Sequence, residues 1–76
     1  MDRIIPNGRE IKIARMKKGF GASSFAEKIG VTGTMIGLIE TEKTGVSPET
    51  AKKITDELGK EFDDLFRIES TEGKGG

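Results

Sequence analysis

The sequence predicts a compact all-α domain of five short helices, and three observations carry that expectation. Apolar residues recur at helical spacing in separate runs between Ile11 and Phe66. Capping residues open those runs and glycines close them, at Gly19, Gly30 and Gly59. No stretch alternates apolar and polar residues over the length of a strand, and the sequence has no internal repeats. Short connections between the runs suit a helical bundle.

Residues 1–6 read as a short N-terminal arm, because Pro6 forbids a helix continuing from upstream. Asn7 and Glu10 have the spacing of an N-cap and its reciprocal partner, so a helix should begin near Gly8. It carries Ile11, Ala14 and Arg15, places Lys17 and Lys18 at the negative end of its dipole, and stops at Gly19. Ala22–Ile29 forms a second helix with Phe25, Ala26 and Ile29 on one face, closed by Gly30. Thr32 can cap a third, whose Ile36 and Ile39 share a face, and Glu40–Gly45 reads as a polar loop. Ser47 followed by Pro48 is a strong start for a fourth helix, which carries Ala51, Ile54 and Leu58 to Gly59. Phe62, Leu65 and Phe66 belong to a last short helix. The domain is expected over residues 7–69, and residues 70–76, rich in glycine, read as a flexible tail.

Seventy-six residues leave room for one small core. The apolar fraction of 33 % supports folding, with thin burial that association would reinforce. The absence of cysteine removes disulfides and thiolate metal sites, and the absence of histidine removes the commonest metal ligand and neutral-pH acid or base. No cofactor, metal or catalytic residue is therefore expected, and an enzyme is disfavoured. Asp63-Asp64 reads as a charged first turn of a helix, not a metal site. Gly19-Phe20-Gly21 lacks the preceding strand and third glycine of a dinucleotide loop. No apolar run is long enough to span a membrane and no start resembles a signal peptide, so the expected location is the cytoplasm.

The net charge is zero, but its distribution is not even. Residues 1–35 hold seven Lys/Arg against three Asp/Glu, and residues 36–76 hold six against ten. A chain polarised in this way can present a basic face while its total vanishes, although a chance fluctuation gives the same count.

The stretch from Ala22 to Thr41 has what two helices need to cross steeply through a tight turn. Ala26 permits close approach, Gly30 can adopt the left-handed backbone of the turn, and Phe25, Ile29, Val31, Ile36 and Ile39 pin the pair to the remaining helices. This is a helix-turn-helix, whose second helix can lie in the DNA major groove. From Ile11 to Phe66 the chain resembles the lambda-repressor/Cro-like (Xre-type) DNA-binding domains. The residues that carry the resemblance are Ile11-Lys12, Arg15, Lys18-Gly19-Phe20, Phe25 to Thr32, Ile36, Ile39-Glu40, Ser47, Glu49-Thr50, Leu58-Gly59 and Phe62 to Phe66. The resemblance implies a five-helix lambda-repressor-like domain that binds double-stranded DNA as a homodimer and regulates transcription, as a Cro-like repressor of a phage, mobile element or bacterial operon.

On that resemblance Arg15 and Glu40 match a recurring ion pair between the first helix and the end of the recognition helix, structural rather than DNA-contacting. The base-reading positions would be Gly33, Thr34, Gly37 and Leu38, with Met35 and Thr41 beside them. Ser23, Thr32, Lys43 and Thr44 would touch the phosphate backbone, with the amides at the starts of the second and third helices and Lys17, Lys18 and Lys28 extending the basic side. The chain departs from the family where polar base readers are usual, and Ala22 stands where glutamine is frequent. Met35 and Leu38 could meet thymine methyls or, alternatively, a protein. The alternative is therefore an interaction module of antirepressor or antitoxin type, with a regulatory protein as partner. Phe62, Leu65, Phe66 and Ile68 either form the homodimer surface or close the monomer core.

Overall fold

The computed structural model describes residues 2–70. Five helices occupy the expected places: α1 (Gly8–Lys17), α2 (Ala22–Ile29), α3 (Gly33–Glu40), α4 (Pro48–Leu58) and α5 (Phe62–Leu65). The all-α expectation needs correction, because two strands join the chain's ends. β1 (Asp2–Pro6) and β2 (Phe66–Ser70) pair antiparallel, with Ile4 opposite Ile68 and Pro6 opposite Phe66. The segment read as an arm is thus β1, and Phe66, read as helical, opens β2. Residues 71–76 of the expected tail lie outside the described residues, and Ser70 ends β2.

The sheet forms because the ends of the helical body supply its anchors. Pro6 is fully buried, Phe66 is buried in the core, and the Asn7 N–H donates to the Leu65 carbonyl at 2.8 Å. On its far side β1 meets the loop before α4, where the Val46 N–H donates to the Ile4 carbonyl.

One core unites all five helices. Ile11, Phe25, Ile36, Ile39, Ile54 and Leu65 are each at most 1 % exposed, and Ile4, Phe20, Val31, Val46 and Phe62 flank them. The rings of Phe20 and Phe25 pack tilted with centroids 5.4 Å apart. Caps act where the sequence places them: the Thr32 hydroxyl accepts from Met35 N–H and the Ser47 hydroxyl from Thr50 N–H.

The Asn7–Glu10 capping box does not form, since the Asn7 side chain makes no cap hydrogen bond. A carboxylate from elsewhere takes its place. Glu42, just past α3, accepts from the Gly8 N–H at 2.8 Å, and a carboxylate at a helix N-terminus is favoured by both the open amides and the dipole. Glu42 reaches it with φ of 61°, the only non-glycine residue with positive φ among those described. Gly8 is required there because a Cβ would overlap the Glu40 carbonyl. The start of α1 is therefore seated directly on the end of α3.

Candidate nucleic-acid interface

The turn between α2 and α3 is set by Gly30, whose φ of 80° is a left-handed value that disfavours any side chain. The Val31 N–H closes back on the Ala26 carbonyl at 2.9 Å, ending α2. Ala26 is 2 % exposed, so its small side chain sits in the crossing as its size requires. Ile36 and Ile39 then turn one face of α3 into the core and leave the other outside.

That outer face carries Gly33, Thr34, Gly37 and Leu38, all exposed. Met35 and Leu38 are each 36 % exposed and form a partly covered apolar edge. No neighbour would meet a Cβ on Gly37, so the backbone there is bare. Of the two threonines near this face, the Thr41 hydroxyl donates to the Gly37 carbonyl at 2.8 Å, while the Thr34 side chain has no such bond among the described residues. Thr34 is accordingly the hydroxyl available for outside partners.

The expected backbone-contact residues come together in part. Ser23 near the start of α2 and Gly33 at the start of α3 are neighbours, since the Ser23 Oγ would lie 3.7 Å from a Cβ on Gly33. The two helix N-termini thus open side by side. Thr32 holds its cap, and the Gly33 and Thr34 amides make no hydrogen bond within the described residues. Lys43 is exposed and Thr44 half-buried in the loop that follows α3, where the Lys43 N–H donates to the Leu38 carbonyl.

Arg15 fixes the angle between α1 and α3. Its Nε donates to Glu40 Oε2 at 2.6 Å, Nη2 to Oε1 at 3.0 Å, and Nη1 to the Phe20 carbonyl at 2.8 Å. Both side chains are 9 % exposed. The hydrogen bond to Glu40 holds the guanidinium above its ordinary pKa, burial opposes that, and the Glu40 charge reinforces it. The pair ties α1 to the end of α3, and it has an electrostatic consequence. Glu40 turns to Arg15 and Glu42 turns to Gly8, so both carboxylates at the end of α3 are engaged by α1. α3 carries no other acidic residue. Sequence reasoning missed Glu42, and only its tertiary position at the α1 N-terminus reveals its role.

The hydrophobic set at the C-terminal end divides. Leu65 and Phe66 are 1 % and 3 % exposed and belong to the monomer core. Phe62 is half-buried and stacks on Phe66 with centroids 5.3 Å apart. Ile68 alone of the four is mostly exposed, at 62 %. No helix is long and apolar enough to cross a membrane, and no acidic cluster of metal-binding type occurs among the described residues.

Comparison with known proteins agrees with this geometry. The restriction-modification controller protein C.AhdI from Aeromonas hydrophila superposes with a TM-score of 0.68 at 23 % identity, over 75 % of this chain and 83 % of that one. SinR, a master regulator for biofilm formation solved in complex with DNA, superposes with a TM-score of 0.67 at 32 % identity, over 74 % of this chain and 90 % of that one. No curated protein sequence matches the chain. A helix-turn-helix family model matches residues 11–65, from the core of α1 to the end of α5, and the chain belongs to that Cro/C1-type helix-turn-helix family.

Proposed function

We propose that the chain is a small Cro-like repressor that holds operator DNA as a homodimer, a specific form of the DNA-binding transcriptional regulation its family represents. The observation that carries this reading is the outer face of α3, cleared of carboxylate because Glu40 and Glu42 are both drawn onto α1. A polyanion can then approach α3 without repulsion from its own helix end. SinR, at 32 % identity, was solved on DNA with this fold.

In this reading α3 enters the major groove. Thr34 hydrogen-bonds a base edge, Leu38 packs on a thymine methyl, and Gly33 and Gly37 let the backbone come close. Ser23, the Thr32–Thr34 amides, Lys43 and Thr44 grip phosphates and set the register. Two copies place two recognition helices about one helical turn apart, on a palindromic site, and the bound dimer occludes a promoter of a phage, mobile element or bacterial operon.

The test is a duplex titration at about 50 mM salt with a selected palindrome and scrambled controls. The expected result is preference for the palindrome. Lys43→Ala should weaken every duplex alike, and Thr34→Ala should weaken only sites bearing one base at its position, by roughly 1–3 kcal/mol. Absence of DNA binding, with capture of a regulatory protein through Met35 and Leu38 instead, would overturn the repressor and establish an antirepressor or antitoxin module.

A further inference from the structure

The two-stranded sheet leaves one edge of β2 open among the described residues. Which backbone groups lie on that edge follows from the hydrogen-bond phase. Ile4 turns its carbonyl away from β2 to accept from Val46, so Ile4 and Ile68 face each other as a non-hydrogen-bonded pair. The hydrogen-bonded pairs are then Arg3 with Glu69 and Ile5 with Arg67, in phase with the Asn7–Leu65 bond. The N–H and carbonyl groups of Ile68 and Ser70 consequently point outward. So does the carbonyl of Phe66, whose own N–H is used on Phe62 at the end of α5.

We propose that β2 pairs antiparallel with β2 of a second copy about a two-fold axis through Ile68, joining two β1–β2 sheets into one continuous sheet. The inference rests on the homodimer of the proposed function but not on its DNA contacts. It moves the dimer contact from the terminal helix, whose Leu65 is buried in the monomer, to the strand edge.

Three features select this partner and this register. First, a two-fold at Ile68 sets Ile68 against the partner's Ile68 with reciprocal bonds, and lets Ser70 donate to the outward carbonyl of the partner's Phe66. Every outward group of the edge from Phe66 to Ser70 is used except the Ser70 carbonyl, which faces the partner's Phe66, whose N–H is already bonded to Phe62. Second, Arg67 falls opposite the partner's Glu69 and Glu69 opposite the partner's Arg67, as close non-hydrogen-bonded pairs. Sliding by one step in either direction keeps the bonds in phase but sets Arg67 against itself or Glu69 against itself. The charges therefore specify the register as well as permit it. Third, Ile4 and Ile68 share a face, and the pairing aligns them with the partner's Ile68 and Ile4, covering the 62 % of Ile68 that water now touches. The apolar groove that Ile4, Val46, Pro48 and Ile68 line continues that stripe.

Sedimentation of the full chain without DNA tests the pairing. The wild type should be a dimer. Arg67→Glu or Glu69→Arg alone should weaken it roughly tenfold, since each turns two attractive cross-strand pairs repulsive. An equimolar mixture of the two single variants should form a heterodimer of near wild-type affinity, because its Glu and Arg residues again face each other. Because Arg3 faces Glu69 within the chain, Ile68→Lys supplies a second break that leaves β1–β2 charges alone, with circular dichroism confirming the fold. A monomeric wild type, a dimer indifferent to all three changes, or a mixture no tighter than its parents would overturn the proposal. A failed duplex titration with the charge pattern intact would remove the DNA reading and leave the strand pairing standing.

Discussion

At the scale of single residues, the molecule concentrates its polar investment where α1 meets α3. Arg15 directs three N–H donors inside, two to the Glu40 oxygens and one to the Phe20 carbonyl. Its replacement by methionine keeps the length and removes the charge, stranding a carboxylate that is 9 % exposed. Breaking a buried pair from one side costs about 3–5 kcal/mol, a large share of the 5–15 kcal/mol that holds a domain together. Urea unfolding of Arg15→Met should show a loss of that size, and a loss under about 1 kcal/mol would mean that the pair is solvated like a surface bridge. The sign of the pH dependence is fixed by the raised pKa of Arg15. Stabilisation by this group is complete below its unfolded-state pKa and fades only as pH climbs through the still higher folded value, so the Arg15 contribution is at full strength at neutral pH and is lost only under strongly alkaline conditions. The pair was legible in the sequence because both positions recur in the family. Glu42 was not, since a cap that joins residues 34 apart leaves no local spacing to read.

At the scale of elements, helices and strands differed in how plainly they announced themselves. Thr32, Ser47-Pro48, Gly30 and Gly59 each act within one helical turn, and each does in the structure what its type dictates. The strands hide for a physical reason. β1 is five residues containing a proline, and its partner lies at the other end of the chain, so neither end shows a hairpin turn. The alternation Phe66-Arg67-Ile68-Glu69 is present, but Phe62 and Leu65 just before it continue a helical spacing into Phe66. α3 holds the opposite conflict: a short helix with glycines at its first and fifth positions. Gly37→Ala separates fold from function there. A Cβ meets nothing, so helix propensity alone should add up to about 1 kcal/mol, raising the melting temperature by several degrees. Duplex affinity should nevertheless fall, because the added methyl stands between the helix and the base edges. A variant that melts higher and binds as before would show that Gly37 does not face the groove.

At the scale of the whole molecule, zero net charge makes ionic strength an informative variable. If DNA felt only the total charge, salt would hardly change its affinity. The seven cations against three anions of residues 1–35, together with the engagement of Glu40 by Arg15 and of Glu42 by the Gly8 N–H, instead predict a local positive field around α3. Each lysine placed on a phosphate releases about 0.9 of a counterion, so a dimer using at least two lysines per subunit should give a slope of log K against log salt of about −4 or steeper. Lys43→Ala removes one such contact from each subunit and should flatten that slope by about two, uniformly across duplex sequences. The strand-paired dimer enters the same experiment. Ile68→Lys, by separating the subunits, should leave a weaker complex whose slope per bound chain is unchanged or slightly increased. The palindrome preference should vanish with the two-fold. Loss of that preference together with a retained per-chain slope is the signature of two independent recognition helices joined through β2. A preference that survives separation of the subunits would place the reading of both half-sites within a single chain.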